Sequence, residues 1–109
     1  MTEQPQKEET LFIFKELEAN PNTTQRDLSI RLNISLGKTN YLLRELILKG
    51  FIKARNFTSN PGKLKKFHYL LTEEGLEEKF RLLQHFLLRK ETEYNKLKQE
   101  LEHSLNGKV

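Results

Sequence analysis

Residues 23–50 read TTQRDLSIRLNISLGKTNYLLRELILKG, and two helical periods with a three-residue break between them decide the fold. Thr24 can cap backbone donors at the start of the first segment, Asp27 lies in its first turn near the positive end of the dipole, and Leu28, Ile30 and Leu32 supply its apolar side. Asn33-Ile34-Ser35 then interrupts the pattern. Ser35 is placed to cap a second segment from Leu36 to Lys49, and Gly50, the residue type best suited to a left-handed C′ position, closes it. Two helices joined by a short polar turn make a helix-turn-helix candidate.

The second of these helices has two unlike faces. Thr39, Leu42, Leu43, Leu46 and Ile47 recur at helical spacing and predict one buried stripe. Ser35, Leu36, Gly37, Lys38, Asn40, Tyr41 and Arg44 occupy its N-terminal half, most of them on the opposite face. Arg and Lys donate to guanine edges or phosphates, Asn pairs bidentately with adenine, and Tyr donates to phosphate or stacks. A helix of this kind presents its first turns to base edges in the major groove. Any one of these residues alone would pass for ordinary helix surface, so it is their grouping on one face that counts.

Outward from this segment, charge is distributed unevenly. Residues 1–21 carry two basic and five acidic side chains, residues 22–70 ten and two, and residues 72–109 seven and eight, which places −3, +8 and −1 along a chain of formal charge +4. A basic middle of this strength is the electrostatic footprint of a polyanion-binding surface. The chain has 109 residues, of which 36% are hydrophobic and 31% charged, so one small core is expected beneath an extensive polar surface.

Before the helix-turn-helix, Leu11, Ile13, Phe14 and Leu17 predict a helix from Glu8 to Ala19 that stops at Asn20-Pro21. After Gly50 the period changes. Phe51–Phe57 and Phe67–Leu71 read as two strands, joined by Thr58-Ser59-Asn60-Pro61-Gly62-Lys63-Leu64-Lys65-Lys66. A hairpin with a basic tip directly after a helix-turn-helix is a wing, and Lys63, Lys65 and Lys66 are suited to phosphate backbone or minor groove. From Thr72, a capping residue followed by Glu73 and Glu74, an uninterrupted helix runs to Asn106. Phe80, Leu87, Tyr94 and Leu101 fall at heptad position a, and Leu76, Leu83, Lys90, Leu97 and Ser104 at d. Phe80, Leu83, Leu87, Tyr94, Leu97 and Leu101 are therefore expected to form a dimer seam, with Leu82, Phe86 and Leu88 widening the apolar surface toward the winged domain. Glu93 and Lys98 slightly favour a parallel pair over an antiparallel one.

Enzymatic constellations are missing from the sequence. Gly37-Lys38-Thr39 resembles the end of a phosphate-binding loop, but Leu32 stands where the first glycine should be. The chain contains no cysteine, His68, His85 and His103 lack the spacing of a metal pair, and the acidic residues lie mostly in the flanking helices, where pairing with Lys or Arg is ordinary. No cofactor, metal or catalytic residue is expected. No segment resembles a secretory signal or a membrane span, which leads to the expectation of a cytoplasmic protein without a membrane partner.

The order of helix, helix-turn-helix, basic hairpin and Tyr69-Leu70-Leu71-Thr72-Glu73-Glu74-Gly75 opening a long helix resembles the winged helix-turn-helix regulators of the MarR type. More narrowly, Asn33–Tyr41, Lys53-Ala54-Arg55-Asn56-Phe57 and Phe86-Leu87-Leu88-Arg89-Lys90 with Glu93-Tyr94 are similar to the short subgroup associated with exopolysaccharide gene clusters. The resemblance spans about residues 10–105 and implies a transcription factor that binds operator DNA as a dimer and controls polysaccharide biosynthesis genes. Larger members pair through helices from both termini and hold a small-molecule pocket beneath them. The N-terminal segment here is about one helix shorter, which argues against a small-molecule effector.

The expected fold class is mainly α with a small β-hairpin, a winged helix-turn-helix domain over 8–71 followed by a dimerisation helix over 72–106. The expected function is sequence-specific binding of a pseudopalindromic double-stranded operator by a homodimer, with residues 35–49 in the major groove and the wing, 58–66, on the backbone or minor groove. The competing reading makes the winged domain an interaction module that recruits a partner protein through the C-terminal coiled coil.

Overall fold

A computed structural model of the chain describes residues 3–56 and 67–107. Its elements follow in the order α1 (Glu3–Ala19), α2 (Gln25–Leu32), α3 (Leu36–Leu48), β1 (Ile52–Asn56), β2 (Phe67–Leu71) and α4 (Glu73–Asn106). The fold is a winged helix-turn-helix, mostly helical, with a two-stranded antiparallel hairpin and a long C-terminal helix. Among the described residues, no helix is long and apolar enough to cross a membrane.

Several differences from the sequence expectation are local; among them Ile30, expected on the apolar side of the first helix of the pair, is 71% exposed, and Leu88, expected to widen the apolar surface toward the winged domain, is 65% exposed. Helix α1 begins at Glu3 rather than Glu8; Pro5 lies in its first turn, where backbone N–H groups have no helical acceptor to lose. Strand β1 begins at Ile52 because the N–H of Phe51 is used to donate to the Leu46 carbonyl at 3.0 Å. Ile47, expected in the buried stripe of α3, is exposed at the margin of the core in the helix's last turns.

The core is one cluster. Leu11, Ile13, Phe14 and Leu17 of α1 pack with Leu28 of α2, Leu42, Leu43 and Leu46 of α3, Ile52 and Tyr69 of the hairpin, and Leu82 of α4. Phe14 meets Phe51 edge to face with ring centroids 6.0 Å apart, the arrangement favoured by the ring quadrupoles. Strand pairing sets Ile52 opposite Leu71, Ala54 opposite Tyr69 and Asn56 opposite Phe67. Since side chains alternate along a strand, this register puts Ile52, Leu71 and Tyr69 on the core side and Lys53 and His68 on the other.

Helix α4 has 34 residues, about 51 Å at 1.5 Å per residue. Its first turns belong to the domain: Leu82 is buried, and Leu83 and Phe86 pack against the core. The carboxylate of Glu18 in α1 pairs with Lys79 of α4, and that of Glu16 accepts from Arg31 of α2 at 2.5 Å. Beyond Phe86 the helix projects away from the domain, giving the molecule extents of 76 × 27 × 26 Å.

Replacing Leu43 with alanine is expected to lower the unfolding free energy by about 2–5 kcal/mol, whereas Leu48→Ala, at a side chain 81% exposed, should change it by no more than about 0.5 kcal/mol. Urea unfolding followed by circular dichroism distinguishes the two.

Candidate nucleic-acid interface

The helix-turn-helix is held at both ends by side chains that the local sequence supplies. Thr24 Oγ1 accepts from the Asp27 N–H at 3.1 Å while Asp27 Oδ2 accepts from the Thr24 N–H at 3.2 Å, a reciprocal capping box that satisfies two donors the helix cannot. At the far end of α2, Asn33 takes the left-handed conformation with φ 57°, which asparagine tolerates better than most residues. Its N–H donates to the Ile30 carbonyl at 3.2 Å, and the Ile34 N–H donates to the Ser29 carbonyl at 3.1 Å. The chain thereby passes from α2 to α3 in three residues.

Ser35 opens α3. Its Oγ accepts from the Lys38 N–H at 3.0 Å, and its carbonyl receives the hydroxyl of fully buried Thr39 at 2.9 Å. Gln25 Nε2 donates to the Leu36 carbonyl at 3.3 Å, linking the start of α2 to the start of α3. Thr39, Leu42, Leu43 and Leu46 are buried as expected. That burial turns Gly37, Asn40, Tyr41 and Arg44 to solvent, where they line one shallow depression with Glu45 and Leu48.

Gly37 stands out on this face. A Cβ built there meets nothing within 4 Å, so neither packing nor backbone conformation demands glycine, and the surface around it lies open to close approach. Tyr41 is 54% exposed, and Ser35 and Leu36 are exposed beside it.

Lys38 is placed differently from its neighbours. Its Nζ lies 3.1 Å from Glu9 Oε2 of α1, so part of its charge is engaged within the protein. These two residues are far apart in sequence, and no local pattern could have paired them. A groove of about 590 Å³ was also not anticipated: Thr24, Gln25, Arg26 and Asp27 line it from α2, with Leu36 from α3 and Phe67 and Tyr69 from β2. Burial raises the Tyr69 phenol above its ordinary pKa. Arg26 is an exposed cation in the first turn of α2, against the helix dipole.

Lys63, Lys65 and Lys66 of the wing lie outside the described residues. Of the expected seam residues, Leu83 is half-buried against its own domain, while Phe80, Leu87, Tyr94, Leu97 and Leu101 are exposed and Leu105 continues their row. No group of acidic, histidine or cysteine side chains capable of holding a metal ion occurs among the described residues.

Residues 10–53 match the family model described as winged helix-turn-helix DNA-binding. No curated protein matches the chain in sequence. Among solved structures, the protein TA0346 of Thermoplasma acidophilum is similar with a TM-score of 0.68 at 21% identity, over 82% of this chain and 89% of that one. A mutant of S. aureus MepR bound to an oligodeoxyribonucleotide aligns with a TM-score of 0.62 at 20% identity, over 93% of this chain and 78% of that one. The MarR family transcription regulator SP03579 aligns with a TM-score of 0.59 at 22% identity, over 81% of this chain and 56% of that one. These likenesses establish the shared fold.

Ser35→Ala is expected to cost about 0.5–2 kcal/mol of stability by removing the cap at the start of α3. Ser35→Asp, which keeps a capping oxygen, should recover most of it; thermal unfolding measured side by side tests both.

Proposed function

We propose that this chain is a sequence-specific, DNA-binding transcriptional regulator of the MarR type that acts as a homodimer. The observation that carries the reading is the exposed face of α3. Gly37, Asn40, Tyr41 and Arg44 share it, and they combine donors suited to base edges and phosphates with a position where nothing obstructs another molecule's backbone. The match of residues 10–53 to a DNA-binding domain supports the same reading and lends none to partner recruitment.

In this mechanism α3 enters the major groove by its first turns. Arg44 and Asn40 read base edges, Tyr41 reaches phosphate or a base, Leu36 offers apolar contact to a thymine methyl, and the Ser35 end of the helix directs its free N–H groups at the backbone. Lys63, Lys65 and Lys66 on the wing add phosphate or minor-groove contacts. The net +8 on residues 22–70 supplies the long-range attraction and makes binding salt-dependent.

The second copy is assigned to α4. Leu87, Tyr94, Leu97 and Leu101 are each more than half exposed, and their heptad spacing fits a partner helix of the same sequence better than it fits water. Two-fold pairing calls for a pseudopalindromic operator with half-site centres about 34–36 Å apart. The resemblance of Asn33–Tyr41 and Phe86–Tyr94 to the exopolysaccharide-associated subgroup points to polysaccharide biosynthesis genes as targets. DNA upstream of such a cluster in the source genome should then carry the bound sequence.

Titration of labelled duplexes at several salt concentrations tests the DNA reading. Arg44→Ala should weaken specific binding by about 1–3 kcal/mol, and Lys65→Ala should weaken binding to all sequences and lower the salt slope by about one. Gly37→Ala should leave thermal stability unchanged or raised while reducing DNA affinity. Salt-independent binding, or none to any duplex, contradicts the proposal. In sedimentation at micromolar concentration the chain should run as a dimer and Leu97→Asp as a monomer; a wild-type monomer overturns the assignment of α4.

A further inference from the structure

Helix α3 and helix α4 meet at a single turn, although the whole hairpin separates them in sequence. At the end of α3, Gly50 takes φ +81°, its N–H donates to the Ile47 carbonyl at 2.9 Å, and the Phe51 N–H donates to the Leu46 carbonyl at 3.0 Å. The carbonyls of Gly50 and Phe51 themselves are both taken by one residue. Thr72 Oγ1 donates to the Gly50 carbonyl at 2.6 Å, and the Thr72 N–H donates to the Phe51 carbonyl at 3.0 Å.

The same hydroxyl also starts α4, since Thr72 Oγ1 accepts from the Gly75 N–H at 3.0 Å. A hydroxyl is a donor and an acceptor at once, so one oxygen bridges the last turn of α3 and the first turn of α4. Gly75 makes the fit possible: a Cβ there would collide with the Phe51 carbonyl oxygen and lie 2.7 Å from Leu71 Cδ1. Glycine at this position therefore answers to close approach between the two helices' ends.

We propose that Thr72, seated on Gly75, is a positioning residue that sets the angle between the DNA-reading helix and the pairing helix, and thereby the half-site spacing the dimer accepts. This rests on the reading of the chain as a dimeric DNA-binding protein. Leu82 in the core and the Lys79–Glu18 pair hold later turns of α4 against the domain, while the Thr72 clasp ties its first turn to the end of α3. The lever is long. Leu101 lies 19 residues beyond Leu82, the buried anchor of α4, about 29 Å along the helix, so a tilt of roughly 5° imposed by the clasp about that anchor moves Leu101 by about 2.5 Å, a large part of the rise of one base pair.

Three variants separate positioning from mere stability. Thr72→Ser keeps both functions of the hydroxyl. Thr72→Asp keeps a good helix cap but has no proton to donate to the Gly50 carbonyl. Gly75→Ala leaves Thr72 intact and pushes the two backbones apart.

The experiment measures binding to duplexes carrying two copies of the half-site, obtained by selection on the wild type, with their separation varied one base pair at a time, and to a duplex with a single half-site. Wild type and Thr72→Ser are expected to favour one spacing by about tenfold over its neighbours. Thr72→Asp and Gly75→Ala should flatten that preference to about threefold or move its optimum, while single-half-site affinity stays within about twofold of wild type. Thermal unfolding identifies a variant that no longer folds, and the other then decides.

An unchanged spacing profile in a folded Thr72→Asp or Gly75→Ala overturns the inference. So does a loss of single-half-site affinity that accounts for the whole effect. A wild-type protein indifferent to spacing removes the dimeric reading itself.

Discussion

Burial of one side of α3 governs the rest of the molecule. Thr39, Leu42, Leu43 and Leu46 are withdrawn from water against α1, α2 and the hairpin, and a helix that commits one face to a core presents the other to solvent. The orientation of Gly37, Asn40, Tyr41 and Arg44 is thus a consequence of apolar burial rather than of any contact those residues make. Rigidity is added at the helix ends, by Ser35 at its start and by the turn through Gly50 at its finish. The exposed face is thus held in place by the buried one and by the two helix ends, without calling on its own side chains for packing.

The small core and the long helix are two sides of one design. Among the described residues, ten of the buried core side chains belong to residues before α4; α4 supplies Leu82, with Leu83 and Phe86 packed against the cluster, so the helix beyond Phe86 is not required to complete the domain. Its apolar row continues through Leu87, Tyr94, Leu97, Leu101 and Leu105, where a lone helix would gain little in water. The proposed pairing with a second copy of the helix would account for the length and the spacing together. Glu16 and Glu18 of the acidic first helix pair with Arg31 of α2 and Lys79 of α4, while the excess positive charge of the sequence lies in residues 22–70.

The fold was legible in the sequence wherever the determinants are local. Thr24 with Asp27, Ser35, Gly50 and Thr72 announce helix ends because a cap acts over three or four residues, and the heptad row on α4 is visible because its period is fixed. Long-range partners were not legible. Nothing near Lys38 indicates Glu9, and nothing near Leu83 distinguishes a seam position from one that packs on its own domain; both depend on where α1 crosses the other helices. The groove between Arg26, Leu36 and Phe67 has the same origin, since three elements distant in sequence must meet to form it. The second role of Thr72 lies in this class as well, because the sequence identifies the cap but not the carbonyl of Gly50 that it holds.

The central claim is that α3's solvent face reads DNA in a two-fold assembly. Selection of bound sequences from a random double-stranded pool by the full chain tests it most directly. The account predicts a pseudopalindromic consensus whose half-sites are about one helical turn apart, with information lost at specific positions when Arg44 is replaced by alanine. Recovery of no enriched sequence, or of a consensus unchanged by Arg44→Ala and Asn40→Ala, would contradict it.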